Sequence, residues 1–328
     1  MSITVELGND YADIRDQVRR ICEGFPGGYW QDLDERSEYP HAFVDALTQS
    51  GYLGALIPEE YGGTGLPLRA AAVILETIHA AGCSASACHA QMYIMGTVLR
   101  HGSLAQKQQY LPKIASGELR LQAFGVTEPT TGSDTTQLKT RAVKEGDHYV
   151  VNGQKIWTSR ALQSDLMLLL ARTTPVDQVK KRTDGLSVFL IDLRDARGKG
   201  CEIRPIATMI NHNTTEVFFD NLHIPADTLI GEEGRGFRYI LDGMNAVVER
   251  RVNVRDTVRN VLADFLAHAL GGGVDRCFSH GDLLFNFYRS NSVVACVHFL
   301  TTAPDLRGPL RVRALVLVRW PRTGRPRR

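Results

Sequence analysis

The feature that most constrains the fold is a change of apolar periodicity near residue 120. Before it, apolar residues recur three and four positions apart, the spacing of helices that bury one face. After it, as far as about residue 224, they alternate, and Gly, Asn and Asp turns divide them. The pattern predicts helices at 10–22, 40–50, 68–81, 85–101 and 103–115, and strands at 121–126, 138–144, 148–152, 166–172, 185–192, 202–207 and 215–219. Short strands at close spacing predict a small β-sandwich or barrel after a helical domain.

The first strand of this region is followed by a loop rich in hydroxyl groups. It reads Val126-Thr-Glu-Pro-Thr-Thr-Gly-Ser-Asp134, and Glu128-Pro129 breaks the strand. Side-chain hydroxyls and free backbone N–H groups are suitable partners for phosphate oxygens. We therefore expect this loop to bind a phosphorylated ligand.

A second segment, Gly153-Gln-Lys-Ile-Trp-Thr-Ser159, provides an aromatic face. Asn152-Gly153 at its start predicts a hairpin turn. Trp157 offers a flat surface on which a ring can stack. Ser159 lies two residues further on, so it points the same way in an extended chain and can meet a polar ring edge.

Composition limits the classes of function. A length of 328 residues with 43% hydrophobic residues allows two or three domains, and a net charge of +2 points to no strongly charged partner. The six cysteines lack metal-ligand spacing, and we expect small buried residues and no metal site. Without a signal sequence or a run of about 18 apolar residues, the chain is predicted to be cytoplasmic, with no membrane partner.

Several motifs in this order resemble the acyl-CoA dehydrogenase family, flavoproteins that desaturate acyl-CoA thioesters. The likeness covers residues 1 to about 246. Besides the two segments above, it rests on Ile57-Pro-Glu-Glu-Tyr-Gly-Gly-Thr-Gly-Leu66, residues 102–119, Glu216-Val-Phe-Phe-Asp-Asn-Leu-His-Ile-Pro225 and Leu229-Ile-Gly-Glu-Glu-Gly-Arg-Gly-Phe237. The resemblance implies an α+β fold: an N-terminal helical domain (1–119), a middle β domain (120–228), the start of a C-terminal helical domain (229–268) and a divergent, poorly ordered tail (269–328).

The resemblance also implies a cofactor, a reaction and partners. FAD accepts a hydride at N5 while a carboxylate removes the α-proton of an acyl-CoA, whose carbonyl oxygen is held by a backbone N–H and a flavin ribityl hydroxyl. Electron-transfer flavoprotein is the expected electron acceptor, and the family is homo-oligomeric. By motif position, Phe124, Val126 and Thr127 line the flavin, Gly132 and Ser133 contact flavin phosphate or acyl-CoA, and Trp157 and Ser159 flank the isoalloxazine ring.

The catalytic base is expected at Glu249. The family places its glutamate late in the C-terminal domain or in the helix after Gly236, directly before an arginine. No late candidate matches, because the acids after Glu249 are Asp256, Asp264, Asp275, Asp282 and Asp305. Glu249-Arg250 matches the second pattern two residues late, which turns the side chain by about 200° around the helix. A solvated helix glutamate is the competing interpretation.

Residues 250–328 differ from the rest in composition. They contain fourteen arginines and no lysine, and residues 320–328 form a basic, proline-containing tail. A nucleic-acid-binding tail fits poorly without interleaved aromatics or a recognisable fold, so no nucleic acid is expected. We favour a frameshift or truncation that replaced the family's C-terminal helical domain. An inactive remnant, a non-catalytic binder of flavin or acyl-CoA, and a flavin oxidase or monooxygenase stay open as alternatives.

Overall fold

The computed structural model describes residues 3–4, 11–249, 294–301 and 311–319, with side chains described for residues 11–242. The chain divides into two compact units. One is Tyr11–Asn253, and the other combines Met1–Asp10 with Val254–Arg328. None of the described helices is long and apolar enough to cross a lipid bilayer.

Helices dominate the first part of the Tyr11–Asn253 unit. Their apolar faces follow the predicted periodicity, and Ser103 caps one of them in a reciprocal capping box with Gln106. The described helices are α1 (Ala12–Glu23), α2 (Gly27–Arg36), α3 (His41–Gln49), α4 (Leu68–Ala80), α5 (Ser86–His101), α6 (Leu104–Ser116), α7 (Leu193–Ala196) and α8 (Gly236–Glu249). The helical N-terminal region is therefore confirmed.

Helix α2 was not predicted from the sequence. Its first two residues are Gly27 and Gly28, which disfavour helix interiors. They occupy the first turn, however, after Pro26, where the backbone N–H groups have no intrahelical partner in any case. The helix is stabilised by packing, since the ring of Trp30 lies 5.0 Å from that of Phe43 at a steep angle.

The strands form two sheets, one in each unit. They are β1 (Ile3–Thr4), β2 (Leu121–Gly125), β3 (Arg141–Glu145), β4 (His148–Ser159), β5 (Leu166–Arg172), β6 (Leu186–Asp192), β7 (Cys201–Pro205), β8 (Thr214–Pro225), β9 (Leu229–Ile230), β10 (Val294–Thr301) and β11 (Arg311–Arg319). The larger sheet has the order β7-β8-β4-β3-β5-β6-β9, and β2 pairs in parallel with β5. The middle β domain predicted from the alternating pattern is thus confirmed.

The predicted hairpin at Asn152-Gly153 is wrong. Strand β4 runs through these residues, and a register shift against β8 lies between Val151 and Gly153. Gly153 has a φ of 149°, and a Cβ on it would lie 2.5 Å from the Thr140 hydroxyl oxygen. The glycine therefore permits a bulge and a close approach of two chain segments instead of a turn. The reversal before β4 is made at Gly146.

Three apolar clusters connect these elements. One lies among the helices around Phe43 and Ile74, and another lies inside the β domain around Tyr149 and Phe189. A third, which includes Leu168, joins α5 and α6 to β2, β5 and β6. Full burial of one such side chain stabilises the fold by about 1.5–3 kcal/mol. The shared third cluster fixes the helical region against the sheet.

Helix α8 begins where its first residue touches the sheet. A Cβ on Gly236 would lie 2.5 Å from the backbone carbon of Ser187 in β6. Only glycine permits this approach without displacement of the strand. The glycine therefore sets the position from which α8 runs towards Glu249.

Strands β10 and β11 are the described part of the region predicted as a divergent tail. They pair antiparallel with each other, and β1 pairs antiparallel with β11. These strands were not among those predicted from the apolar pattern. The prediction of disorder for residues 320–328 concerns residues outside the described part, and the domain boundaries stay predictions.

Candidate functional site

The structure places the hydroxyl-rich loop beside the tryptophan segment. The backbone N–H of Ile156 donates to the Thr127 carbonyl at 2.9 Å. One residue before, the Lys155 ammonium donates to the Val126 carbonyl at 3.1 Å. These two bonds hold the start of the loop against the end of β4, so Trp157 and the loop border the same part of the surface.

A buried ion pair between Lys155 and Glu128 holds the loop in place. Lys155 donates to Glu128 at 2.8 Å, and the side chains are 0% and 4% exposed. Glu128 also accepts hydrogen bonds from the backbone N–H groups of Lys139 at 2.6 Å and Thr140 at 2.9 Å. Burial alone raises the pKa of Glu128, but Lys155 and these donors outweigh it and hold the pKa below its usual value. Burial lowers the pKa of Lys155 to about 8, against the opposing effect of Glu128.

Only part of the 130–134 loop is open to a ligand. Thr131 is buried, and Asp134 accepts bonds from Thr136 and Gln137. Gly132 and Ser133 are exposed, and their backbone N–H groups have no acceptor among the described residues. Two adjacent free N–H groups are suited to an anionic oxygen.

Trp157 presents its ring to solvent, with 57% of the residue exposed. Its φ is 60°, and a register shift against β8 lies between Lys155 and Thr158. The backbone is therefore left-handed at the tryptophan and not extended, as the expected shared direction of Trp157 and Ser159 assumed, and that shared direction stays a prediction. The Ser159 hydroxyl accepts a hydrogen bond from the Asn211 side chain at 2.9 Å.

The remaining predicted cofactor contacts lie on the side of the helices. Phe124, Val126 and Thr127 are partly buried, and the Phe124 ring centre lies 6.2 Å from that of Tyr93 in α5. An exposed indole, partly buried rings and free N–H donors together provide the partners that a flavin with its phosphates needs. The residues present therefore fit FAD.

Arg160 is a residue of this region for which the sequence motifs predicted no role. It follows Ser159 directly, has a φ of 60° and is only 9% exposed. Its guanidinium forms no salt bridge and no hydrogen bond with another described residue, and its Nε is buried without a partner. Burial lowers the pKa of Arg160, which the nearby Tyr93 and Tyr39 partly offset. The Ser-Arg pair after the tryptophan was the available sequence signal, but burial could not be read from it.

Glu249 is the last residue of α8. Its side chain lies outside the described residues, so its assignment as catalytic base stays a prediction. The four cysteines whose side chains are described, Cys22, Cys83, Cys88 and Cys201, are free and buried, as expected from their apolar neighbours.

Comparisons with known proteins agree with this architecture. Family models for the acyl-CoA dehydrogenase N-terminal and middle domains match residues 9–118 and 123–222. A cyclohex-1-ene-1-carbonyl-CoA dehydrogenase of Syntrophus aciditrophicus is 34% identical over 65% of this chain and 51% of its own length. A glutaryl-CoA dehydrogenase of Desulfococcus multivorans is 35% identical over 73% of this chain and 61% of its own length.

A solved structure gives the same result. The crystal structure of an acyl-CoA dehydrogenase from Geobacillus kaustophilus superposes with a TM-score of 0.66 and 29% identity, over 74% of this chain and 64% of that one. The chain spans about half to three fifths of the length of the curated relatives described above. Both family domains, in their order, match the helical region and the sheet that form the site. The chain belongs to the acyl-CoA dehydrogenase family.

Proposed function

We propose that this chain binds FAD and desaturates an acyl-CoA thioester between its α and β carbons. The observation that carries the proposal is the hydrogen bond between Ile156 and Thr127, which places a loop with free N–H groups next to an exposed tryptophan. A phosphate and a ring of one ligand can meet these two features together. Family membership supports the same reaction.

Each residue of the site has a physical task in this proposal. The N–H groups of Gly132 and Ser133 hold an anionic oxygen of the cofactor or of acyl-CoA. Trp157 stacks on the ring system, and Ser159 directs its hydroxyl to the polar ring edge. When bound, FAD supplies the acceptor for the hydride that leaves the β carbon. Glu249, on α8, is the proposed base that removes the α-proton.

The proposal is tested by flavin absorbance of the purified chain and by its loss on anaerobic addition of acyl-CoA. Replacement of Trp157 by Ala is expected to weaken FAD binding up to about tenfold, since ring stacking contributes about 0.5–1.5 kcal/mol. The matched control is Leu104→Ala, which removes another exposed apolar side chain, 64% exposed, at the start of α6. A chain that binds no FAD, or for which both substitutions have the same effect, contradicts the proposal.

A non-catalytic binder or an inactive family remnant is the second candidate. It is favoured by the position of Glu249, two residues later than the family pattern, at the end of the last helix described in this unit. Glu249→Gln distinguishes the two: the base assignment requires that this variant keep its flavin and lose bleaching by acyl-CoA. FAD binding without bleaching in the unmodified chain identifies a binder.

Partners and assembly belong to the same proposal. We infer electron-transfer flavoprotein as the electron acceptor, a homo-oligomeric state and a cytoplasmic location from family membership. Reduction of electron-transfer flavoprotein by the acyl-CoA-treated chain, and the mass of the purified chain in solution, test the first two.

A further inference from the structure

Arg160 carries a positive charge that pairs with no carboxylate among the residues that the structure describes. The residue is 9% exposed, and no described carboxylate pairs with it. A buried charged group without a partner is unfavourable, because it loses water and gains no opposite charge. A cation kept in such a place needs either a structural partner or a ligand, and the described part of the chain supplies no structural partner.

A second unpartnered donor lies in the same part of the site. Gln122 of β2 is 1% exposed, and its Oε1 accepts a hydrogen bond from the Tyr39 hydroxyl at 2.7 Å. Its Nε2 is buried and has no acceptor among the described residues. Tyr39 also interacts electrostatically with Arg160. Two donors, one of them charged, therefore lack acceptors around Tyr39.

Aromatic side chains lie near Arg160 on the side that faces α5. Tyr93 interacts electrostatically with Arg160, and its ring lies 6.2 Å from that of Phe124, a proposed flavin contact. Aromatic faces suit an apolar chain, whereas the guanidinium fork suits a carboxylate, which it binds with two parallel hydrogen bonds. The combination fits a ligand that is apolar along its length and anionic at one end.

We propose that Arg160 binds a carboxylate at the far end of the acyl group, so that the preferred substrates are mono-CoA thioesters of short dicarboxylic acids. This inference rests on the proposed function, since it needs an acyl-CoA in the same site. Arg160 supplies the charge, and the Gln122 amide supplies a further donor. In this assignment, Arg160 determines specificity and takes no part in proton or hydride transfer.

The test compares two thioesters of equal carbon number, glutaryl-CoA and pentanoyl-CoA, which differ at the far end in a carboxylate against a methyl group. Binding to the 328-residue chain is measured by calorimetry, and oxidation by flavin bleaching. The unmodified chain is expected to prefer glutaryl-CoA by roughly 10- to 100-fold, the range for a charge-assisted hydrogen-bonded pair.

Two variants separate this role from a general structural one. Arg160→Gln is expected to abolish the preference while pentanoyl-CoA binding stays unchanged, and Arg160→Lys is expected to retain part of it. Equal affinity of the unmodified chain for both thioesters overturns the inference but leaves the proposed function intact. Failure to bind either thioester overturns both. If Arg160→Gln weakens the binding of both thioesters equally and also weakens FAD binding, the inference is overturned as well. That result would indicate that Arg160 binds the cofactor.

Discussion

Lys155 and Arg160 lie five positions apart at the same end of β4, and both are buried cations, yet within the described part of the chain only the side chain of Lys155 has a hydrogen-bonded partner. Lys155 is 0% exposed and donates to Glu128 and to a backbone carbonyl. Arg160 is 9% exposed, and its side chain donates no hydrogen bond to another described residue. The first cation is thus part of the structure of the site, and the second is available to something that the site binds.

The difference shows how one strand end can serve two purposes. The pair of Glu128 and Lys155 holds the loop at a fixed distance from Trp157, and such precision is what cofactor binding requires. In the ligand-free chain, the charge of Arg160 pairs with no described carboxylate, which lowers the stability of the fold. The same charge allows the site to select a ligand that carries a carboxylate. Substitutions at the two positions should therefore have opposite effects on stability.

The largest expected effect is the loss of the structural cation. Lys155→Met removes the partner of Glu128, leaves a carboxylate buried, and should lower the free energy of unfolding by about 3–5 kcal/mol. Urea denaturation followed by circular dichroism measures it. Lys139→Met is the matched control, since Lys139 is an exposed lysine of the same loop, and it should change the free energy by less than about 0.5 kcal/mol. If the two substitutions lower the free energy of unfolding equally, the pair of Lys155 and Glu128 has no structural role.

The sequence predicts those parts of this site that depend on local pattern. The uninterrupted apolar run that begins at Leu166 located β5 at its observed bounds, 166–172, because both faces of a central strand are buried. Gly153 led to the wrong prediction of a hairpin turn. A glycine is needed there because Thr140 packs closely against it, and the local sequence does not show this contact. The surroundings of Arg160 were equally hidden, since the two tyrosines that interact with it electrostatically, Tyr39 and Tyr93, come from the distant N-terminal region.

A smaller effect is expected from pH at Lys155. The unfolded chain keeps this proton up to a pKa of about 10.4, whereas the folded chain releases it near pH 8. Between these values unfolding takes up a proton, so unfolding becomes less favourable as the pH rises. From pH 7.5 to 9.5 the unmodified chain should therefore gain stability relative to Lys155→Met, in which no group titrates at this position. Denaturation curves of both proteins at the two pH values measure this gain, and a constant difference would contradict it.

Arg160 should respond in the opposite direction to Lys155. Arg160→Met replaces an unpaired buried charge by an apolar chain of similar length, and should raise the free energy of unfolding of the ligand-free chain by about 1–2 kcal/mol. Urea denaturation without ligand gives the value. Arg120→Met provides a control, because Arg120 is paired with Asp45 at 2.9 Å and also donates to Thr48, so its loss should destabilise. Destabilisation by Arg160→Met would show that this cation has a structural partner after all.

An effect no larger than that of Arg160→Met is expected at the neutral neighbours of Arg160. Burial raises the pKa of Tyr39 to about 12, so its hydroxyl stays protonated near neutral pH and donates to Gln122. Tyr39→Phe should lower the free energy of unfolding by about 1–2 kcal/mol, because the Gln122 oxygen is then buried without a donor. Tyr52→Phe is the matched control: Tyr52 is also buried, but its hydroxyl donates to Gln17, an exposed residue that water can solvate instead. If both substitutions lower the free energy of unfolding by the same amount, water reaches the amide of Gln122. The donors around Arg160 are then hydrated, and their lack of protein acceptors is no sign of a ligand.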